Sequence, residues 1–335
     1  MIILRRILFC LLGLAMWQYL AFAQAKSLRI SLNTGPDHIR NIVADIFIKD
    51  LERNAKGAFN IKLYPSAQLF KASEIPKALH EGDIDMGIPG IPYLSTLVPN
   101  AAVYSLPMFF GRNSGEVHKI SDGAIGRLLN RNIEELLDVK VLGLNLDLGH
   151  TSTFTTSDRI EKIEDLKGLR IRVPQSPGAR VRFKAMGAEI LSVPLNDLAR
   201  SLERHNIDGL STTHETVRSL RLWQSGVRYA FNIQDSFVQY VPLVSRKFWD
   251  SLPPELQVTL TSSWRHAVLE GRRLAVVRQL EAKREGAANG ILNVPPDKED
   301  LAYFRRLLLS IQNQMVSVLG MDKAFVDRVD KALNF

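Results

Sequence analysis

The sequence predicts an α/β protein of two lobes, each a mixed or parallel sheet flanked by helices, with one long helix bracing both. Three observations carry this expectation. Strand and helix patterns alternate as βαβαβ through the first third of the chain, and a second such series restarts near Gly149. Residues 254–290 then run as a helical pattern with no proline after Pro254, longer than one lobe requires. At 335 residues the chain also exceeds what one ordinary core accommodates.

In order, "SLRISLNT" opens as a strand, and "GPDHIRNIVADIFIKDLERNAKG" follows as an amphipathic helix. Ile39, Ile42, Val43, Ile46, Phe47 and Leu51 keep helical spacing, and Gly57 is a stop. "FNIKLYP" reads as a strand, and "ASEIPKALHEGDIDMGI" as a helix leading into another. Prolines interrupt "VPNAAVYSLPMFF". "SGEVHKISDGAIGRLLNRNIEELLD" resumes helical pattern, and "VKVLGLNLD" reads as one buried strand. The second series is "STFTTS" (strand), "KIEDLKG" (helix), "LRIRVP" (strand), "PGARVRFKAMG" (helix), "AEILSV" (strand), "PLNDLARSLERHN" (helix) and "IDGLST" (strand). A strand over Val241–Ser245 returns toward the first lobe. The expected division is 24–147 with about 237–272 as lobe I, 148–236 with about 273–310 as lobe II, and 311–335 as C-terminal helices packing on the lobes.

Arg5 and Arg6 precede the apolar run "ILFCLLGLAMW", and "AFA" puts small residues at Ala21 and Ala23, the pattern of a secretory signal cleaved near Ala23. The expected location is the periplasm. Cys10, the single cysteine, lies in that leader, so disulfides and thiol catalysis are excluded from the mature chain. Cleavage lowers the formal charge from +8 to +6. Lysines and arginines are interleaved with acids, as in "KIEDLKGLR" and "RQLEAKREG", which argues against nucleic acid as a partner.

In "GLRIRVP" strand alternation puts Arg170 and Arg172 on one face and Leu169, Ile171 and Val173 on the other. Such a face is either a solvated edge strand or an anion site. The segment "LKGLRIRVPQSPGARVRFKAMGAEILSVPLNDLARSLERHNIDG" resembles the solute-binding subunits of TRAP (tripartite ATP-independent periplasmic) transporters, including their dicarboxylate receptors. "FNIKLYPSAQLFKASEIPKALHEGDIDMGI", "VPNAAVYSLPMFF" and "VSRKFWDSLPPELQ" are similar to further blocks of that family, in family order. The resemblance implies a two-lobed periplasmic binding protein fold and a receptor that closes on a small organic acid. It also implies delivery to a small and a large membrane subunit, with no cofactor or metal. It makes Arg172 the partner of the ligand's carboxylate, a role suited to a planar, permanently charged fork near the carboxyl end of a strand. Arg170 has no such role and is expected to be solvated or paired with an acid.

Two departures stand out. Where many members carry a further arginine before "TTS", this chain has Thr153, and the family's "DGQENP" is "DGLSTT", placing Thr212 where an asparagine commonly contacts ligand. A less cationic pocket than usual is the consequence. Other pocket candidates are Asn33 and His38 at the first strand-to-helix turn, Gly90 in "GIPGIPY", and His150, His214 and Gln239 near strand ends. For Asn33 and His38 the alternative is a turn and helix cap. Catalysis finds no support: "HEGD" and "HETVR" lack the second zinc histidine, having Ile84 and Arg218 there, and no nucleophile elbow or phosphate loop is present. A non-enzymatic monomer is expected, with a secreted sensor or regulatory protein of the same fold as the first alternative and a secreted hydrolase as the second.

Overall fold

The computed structural model describes residues 25–334, so the leader expected over 1–23 lies outside the described residues. The first sheet has five strands in the order β2-β1-β3-β12-β4. These are β1 (Lys26–Ser31), β2 (Phe59–Tyr64), β3 (Met86–Gly87), β4 (Val139–Val141) and β12 (Leu243–Ser245). β1 is parallel to β2 and β3, whereas β12 runs antiparallel between β3 and β4. The second sheet has six strands, β13-β10-β6-β9-β7-β8: β6 (Ser152–Thr155), β7 (Arg170–Val173), β8 (Glu189–Ser192), β9 (Gly209–Thr212), β10 (Tyr229–Phe231) and β13 (Leu292–Val294). Both sheets are therefore mixed.

A two-stranded antiparallel ribbon joins them, made of β5 (Leu146–His150) and β11 (Phe237–Tyr240), with a bulge between Val238 and Gln239. β5 leads from the first sheet into the second, and β11 leads back. The segment "VKVLGLNLD" is thus two strands rather than one. Gly143, at φ 139°, lies in the bend where the chain leaves the first sheet for the ribbon. The long helix, Pro254–Ala288, makes a third crossing from β12 toward β13. It is unbroken over 35 residues.

Two other sequence readings are resolved. "SGEVHKISDGAIGRLLNRNIEELLD" forms two helices, Ser114–Ser121 and Ala124–Leu137, because Asn113 caps the first and Gly123 restarts the second. β7 is not an edge strand: it lies between β8 and β9. Its cationic face is therefore not an edge-protection device.

The helix Ile39–Ala55 buries Ile39, Val43, Phe47 and Leu51 against β1 and the long helix, and ends through left-handed Lys56 and Gly57. Trp264 of the long helix joins that core and donates Nε1–H to the Leu144 carbonyl at 2.9 Å. The helices cross where Gly271 leaves no room: a Cβ there would stand 2.5 Å from Val43 Cγ2 and 2.8 Å from Leu146 Cδ1. Gly271→Ala is expected to destabilise the fold by about 1–3 kcal/mol through overpacking. A urea midpoint equal to that of the unchanged protein would count against this close packing. The C-terminal helices return to the first lobe, burying Met315, Phe325, Val326 and Val329 against Val103, Phe109 and Ile120.

Candidate ligand-binding site

β7 turns Ile171 and Val173 into the apolar core of the second lobe and sends Arg172 the other way, toward the first lobe. Arg172 is only 2% exposed. Its Nε–H donates to the Val193 carbonyl at 2.9 Å, and the Tyr93 phenol of the first lobe stands beside its guanidinium. Burial lowers its pKa from the ordinary arginine value. Among the described residues no carboxylate lies within 4.0 Å of it. Arg170, by contrast, is paired with Asp208, whose carboxylate accepts from its Nε at 3.0 Å and its backbone N–H at 2.8 Å.

Arg172 faces a cavity of about 60 Å³ lined by both lobes and the ribbon. The first lobe supplies Asn33, Arg40, Gly90, Pro92 and Tyr93; the ribbon supplies Leu148, Val238 and Tyr240; the second lobe supplies Thr151, Arg172, Pro174, Leu195, Thr212, Thr213 and Thr216. The inner cavity shares Asn33, Tyr93 and Leu195 with an outer chamber of about 470 Å³, whose walls include Lys71, Gln175, Asn196 and Asp197. The arrangement suits a small solute held by a charged, hydroxyl-rich inner end.

Four candidates from the sequence, Arg172, Asn33, Gly90 and Thr212, share this wall. The others are placed elsewhere. His38 caps the first helix, its Nδ1 accepting from Arg40 N–H at 3.1 Å, and its ring meets Tyr240 edge-on. Thr153 is buried in β6 opposite Ser211, and its hydroxyl finds no partner. Gln239 donates to Asp147 at 2.9 Å, bracing the ribbon from within. His150 and His214 line a separate groove of about 390 Å³ with Gln279 and Lys283 of the long helix. Gly149, at φ 120°, breaks the strand alternation before His150, whose Nε2 bonds the Arg112 carbonyl at 2.8 Å.

His214 is held neutral. Burial pushes its pKa down to about 4, against the upward pull of its 2.7 Å bond to Asn232. Because this value lies below that of the unfolded chain, the unfolded state takes the proton first. Stability is therefore complete above about pH 6.5 and is lost as pH falls toward 4, by up to about 3 kcal/mol from this group. His214→Gln should reduce the difference between urea midpoints at pH 7 and pH 4.5; an identical acid loss in both proteins would contradict this assignment.

Arg40, Tyr93, Thr151, Thr213, Thr216 and Tyr240 were not expected in the wall. Outside the cavity, Glu215 of the helix His214–Ser219 ties the rim together. Its carboxylate accepts from Ile39 N–H at 3.2 Å in the first lobe and from Arg278 Nε at 3.0 Å on the long helix.

Two α/β lobes joined by a ribbon and shutting on a walled cavity make this a two-lobed solute-binding protein. Residues 30–317 match the family described as bacterial extracellular solute-binding protein, family 7 (DctP), and the chain belongs to that family. It is 27% identical over 319 residues to the 2,3-diketo-L-gulonate-binding periplasmic protein YiaO of Escherichia coli (strain K12), covering 95% of each chain. The sugar acid binding protein DctPAm of Advenella mimigardefordensis, solved with galactonate, superposes with a TM-score of 0.86 at 19% identity, over 92% of this chain and 98% of that one. A TRAP periplasmic solute binding protein of Sulfurospirillum deleyianum with bound succinate gives 0.84 at 20% identity, over 92% and 100%.

Proposed function

We propose that the protein is the extracytoplasmic receptor of a TRAP-type carrier, capturing a small organic acid between its lobes and delivering it to the small and large membrane subunits. One observation carries the reading: Arg172 is buried at the lobe interface with no carboxylate among the described residues to neutralise it. Burying an unpaired guanidinium is costly, and a ligand carboxylate supplies the missing charge in the bidentate form that arginine favours. Three similar proteins bind, by their descriptions, 2,3-diketo-L-gulonate, galactonate and succinate, each an acid. The lobes correspond to 24–147 with 237–272 and 148–236 with 273–310; closure pivots on the ribbon and takes place in the periplasm. The protein binds and releases its ligand unchanged.

The test is thermal unfolding of the mature chain, stripped of carried-over ligand by unfolding and refolding, against mono- and dicarboxylates, keto acids, sugar acids and neutral sugars. A ligand at 100 times its Kd adds about 2.7 kcal/mol and raises the midpoint by several degrees. Stabilisation confined to acids supports the proposal. Stabilisation by neutral sugars alone overturns it.

A further inference from the structure

The groove lined by His150 and His214 shares only Leu148 with the Arg172 cavity. At about 390 Å³ it is of the size that holds small molecules, and the ribbon, both lobes and the long helix wall it. Much of its polar lining is already engaged. The Asn232 side-chain oxygen accepts from the Ser152 hydroxyl at 3.0 Å and from His214 Nε2 at 2.7 Å, and its amide donates to Asn293 at 3.2 Å. Gln279 donates to the Leu148 carbonyl at 2.6 Å and accepts from Glu215 N–H at 3.3 Å.

Two groups stand free. Because the Asn232 oxygen can only accept, His214 carries its proton on Nε2, and burial keeps the ring neutral. Its Nδ1 is therefore a bare lone pair, with no hydrogen bond among the described residues, on a residue 9% exposed that lines this groove. Lys283 is the other: no carboxylate of the described residues lies within 4.0 Å of its ammonium, whose charge reaches His214. Beside them the wall is apolar, with Leu148, Phe237, Val276 and Leu280, the last two 60% and 56% exposed. A molecule that fits gives a hydrogen-bond donor to a neutral nitrogen, a negative charge to a lysine, and apolar length to the remaining wall.

We propose that this groove is a second ligand site, separate from the cargo cavity, for a hydroxylated fatty acid of medium chain length: its hydroxyl donates to His214 Nδ1, its carboxylate pairs with Lys283, and its chain covers Val276 and Leu280. A short hydroxy acid lacks the chain. An unsubstituted fatty acid covers the lone pair without giving it a donor, which costs free energy. A groove that were merely apolar would rank the two fatty acids the other way, since a hydroxyl resists transfer to an apolar surface.

The experiment is calorimetric titration of the mature chain carrying Arg172→Ala, which removes the anchor of the cargo cavity, with 2-hydroxyoctanoate, octanoate and 2-hydroxybutyrate. 2-Hydroxyoctanoate should bind about fivefold tighter than octanoate, for the hydrogen bond, and about tenfold or more tighter than 2-hydroxybutyrate, for the lost methylenes. Lys283→Glu and Leu280→Asn, both at exposed positions, should each weaken it about fivefold or more. In His214→Leu the order of 2-hydroxyoctanoate and octanoate should reverse; should that variant not fold, the matched pair in the parent decides. Absence of 2-hydroxyoctanoate binding, octanoate binding as well or better in the parent, or an affinity unchanged in either K283E or L280N would overturn the proposal. The reading of Arg172 is untouched by any of these results, because every titration is made without that side chain.

Discussion

Arg172→Ala is expected to weaken binding of the carboxylate ligand by about 2–5 kcal/mol, roughly thirty- to several-thousand-fold, because the carboxylate would then be buried without a partner. The loss should fall mainly on the dissociation rate. The effect on the ligand-free protein should run the other way: removing a guanidinium that is 2% exposed and meets no carboxylate relieves an unpaired charge, so the unfolding midpoint should hold or rise. That opposition of signs separates a binding role from a structural one. Calorimetric titration and urea unfolding of the same variant measure the two effects. A variant that binds as tightly as the unchanged protein would remove Arg172 from the site, and one that loses stability without ligand would make it a structural residue.

Asp235→Ala should produce the largest loss of stability, about 3–5 kcal/mol. Asp235 lies between β10 and β11, its carboxylate fully buried, and it accepts from Arg182 Nε at 3.0 Å and from the Thr151 hydroxyl at 2.6 Å. Arg182 also donates to the Ser105 carbonyl of the first lobe at 2.9 Å. One buried pair thus ties together both chain crossings and a turn of the opposite lobe. Truncating the acid leaves Arg182 buried without a counter-charge, its Ser105 carbonyl bond alone remaining, whereas replacing Arg182 and Asp235 together by apolar residues of similar volume should restore much of the loss. Urea midpoints of the single and double variants give the comparison; a double variant no better than D235A would show that shape at the crossing, rather than charge pairing, sets its stability.

The periodic elements were legible in the sequence because burial imposed their pattern. Ile39, Val43, Phe47 and Leu51 marked the first helix, and the Arg170–Val173 alternation marked a strand with one cationic face. Neither the ribbon nor the burial of Arg40 was. "VKVLGLNLD" carries apolar residues along its whole length, and only the path of the chain between lobes divides it into β4 and β5. Arg40 sits beside Ile39 in a polar-flanked helical start, where an arginine ordinarily faces water; its burial comes from the meeting of Ile88, Tyr93 and Tyr240, all distant in sequence. The histidine candidates were placed elsewhere for the same reason: His38 caps the first helix, while His150 and His214 line the separate groove.

The buried guanidiniums of Arg172 and Arg40 also bear on the fidelity of transport. As the lobes approach without cargo, each guanidinium loses its water and gains no carboxylate in return. A penalty of about 3 kcal/mol would hold the shut, unloaded form near one molecule in a hundred. A carrier that docks only the shut shape would then meet few empty receptors, because the cost of burying unpaired charge proofreads loading before any contact with the membrane.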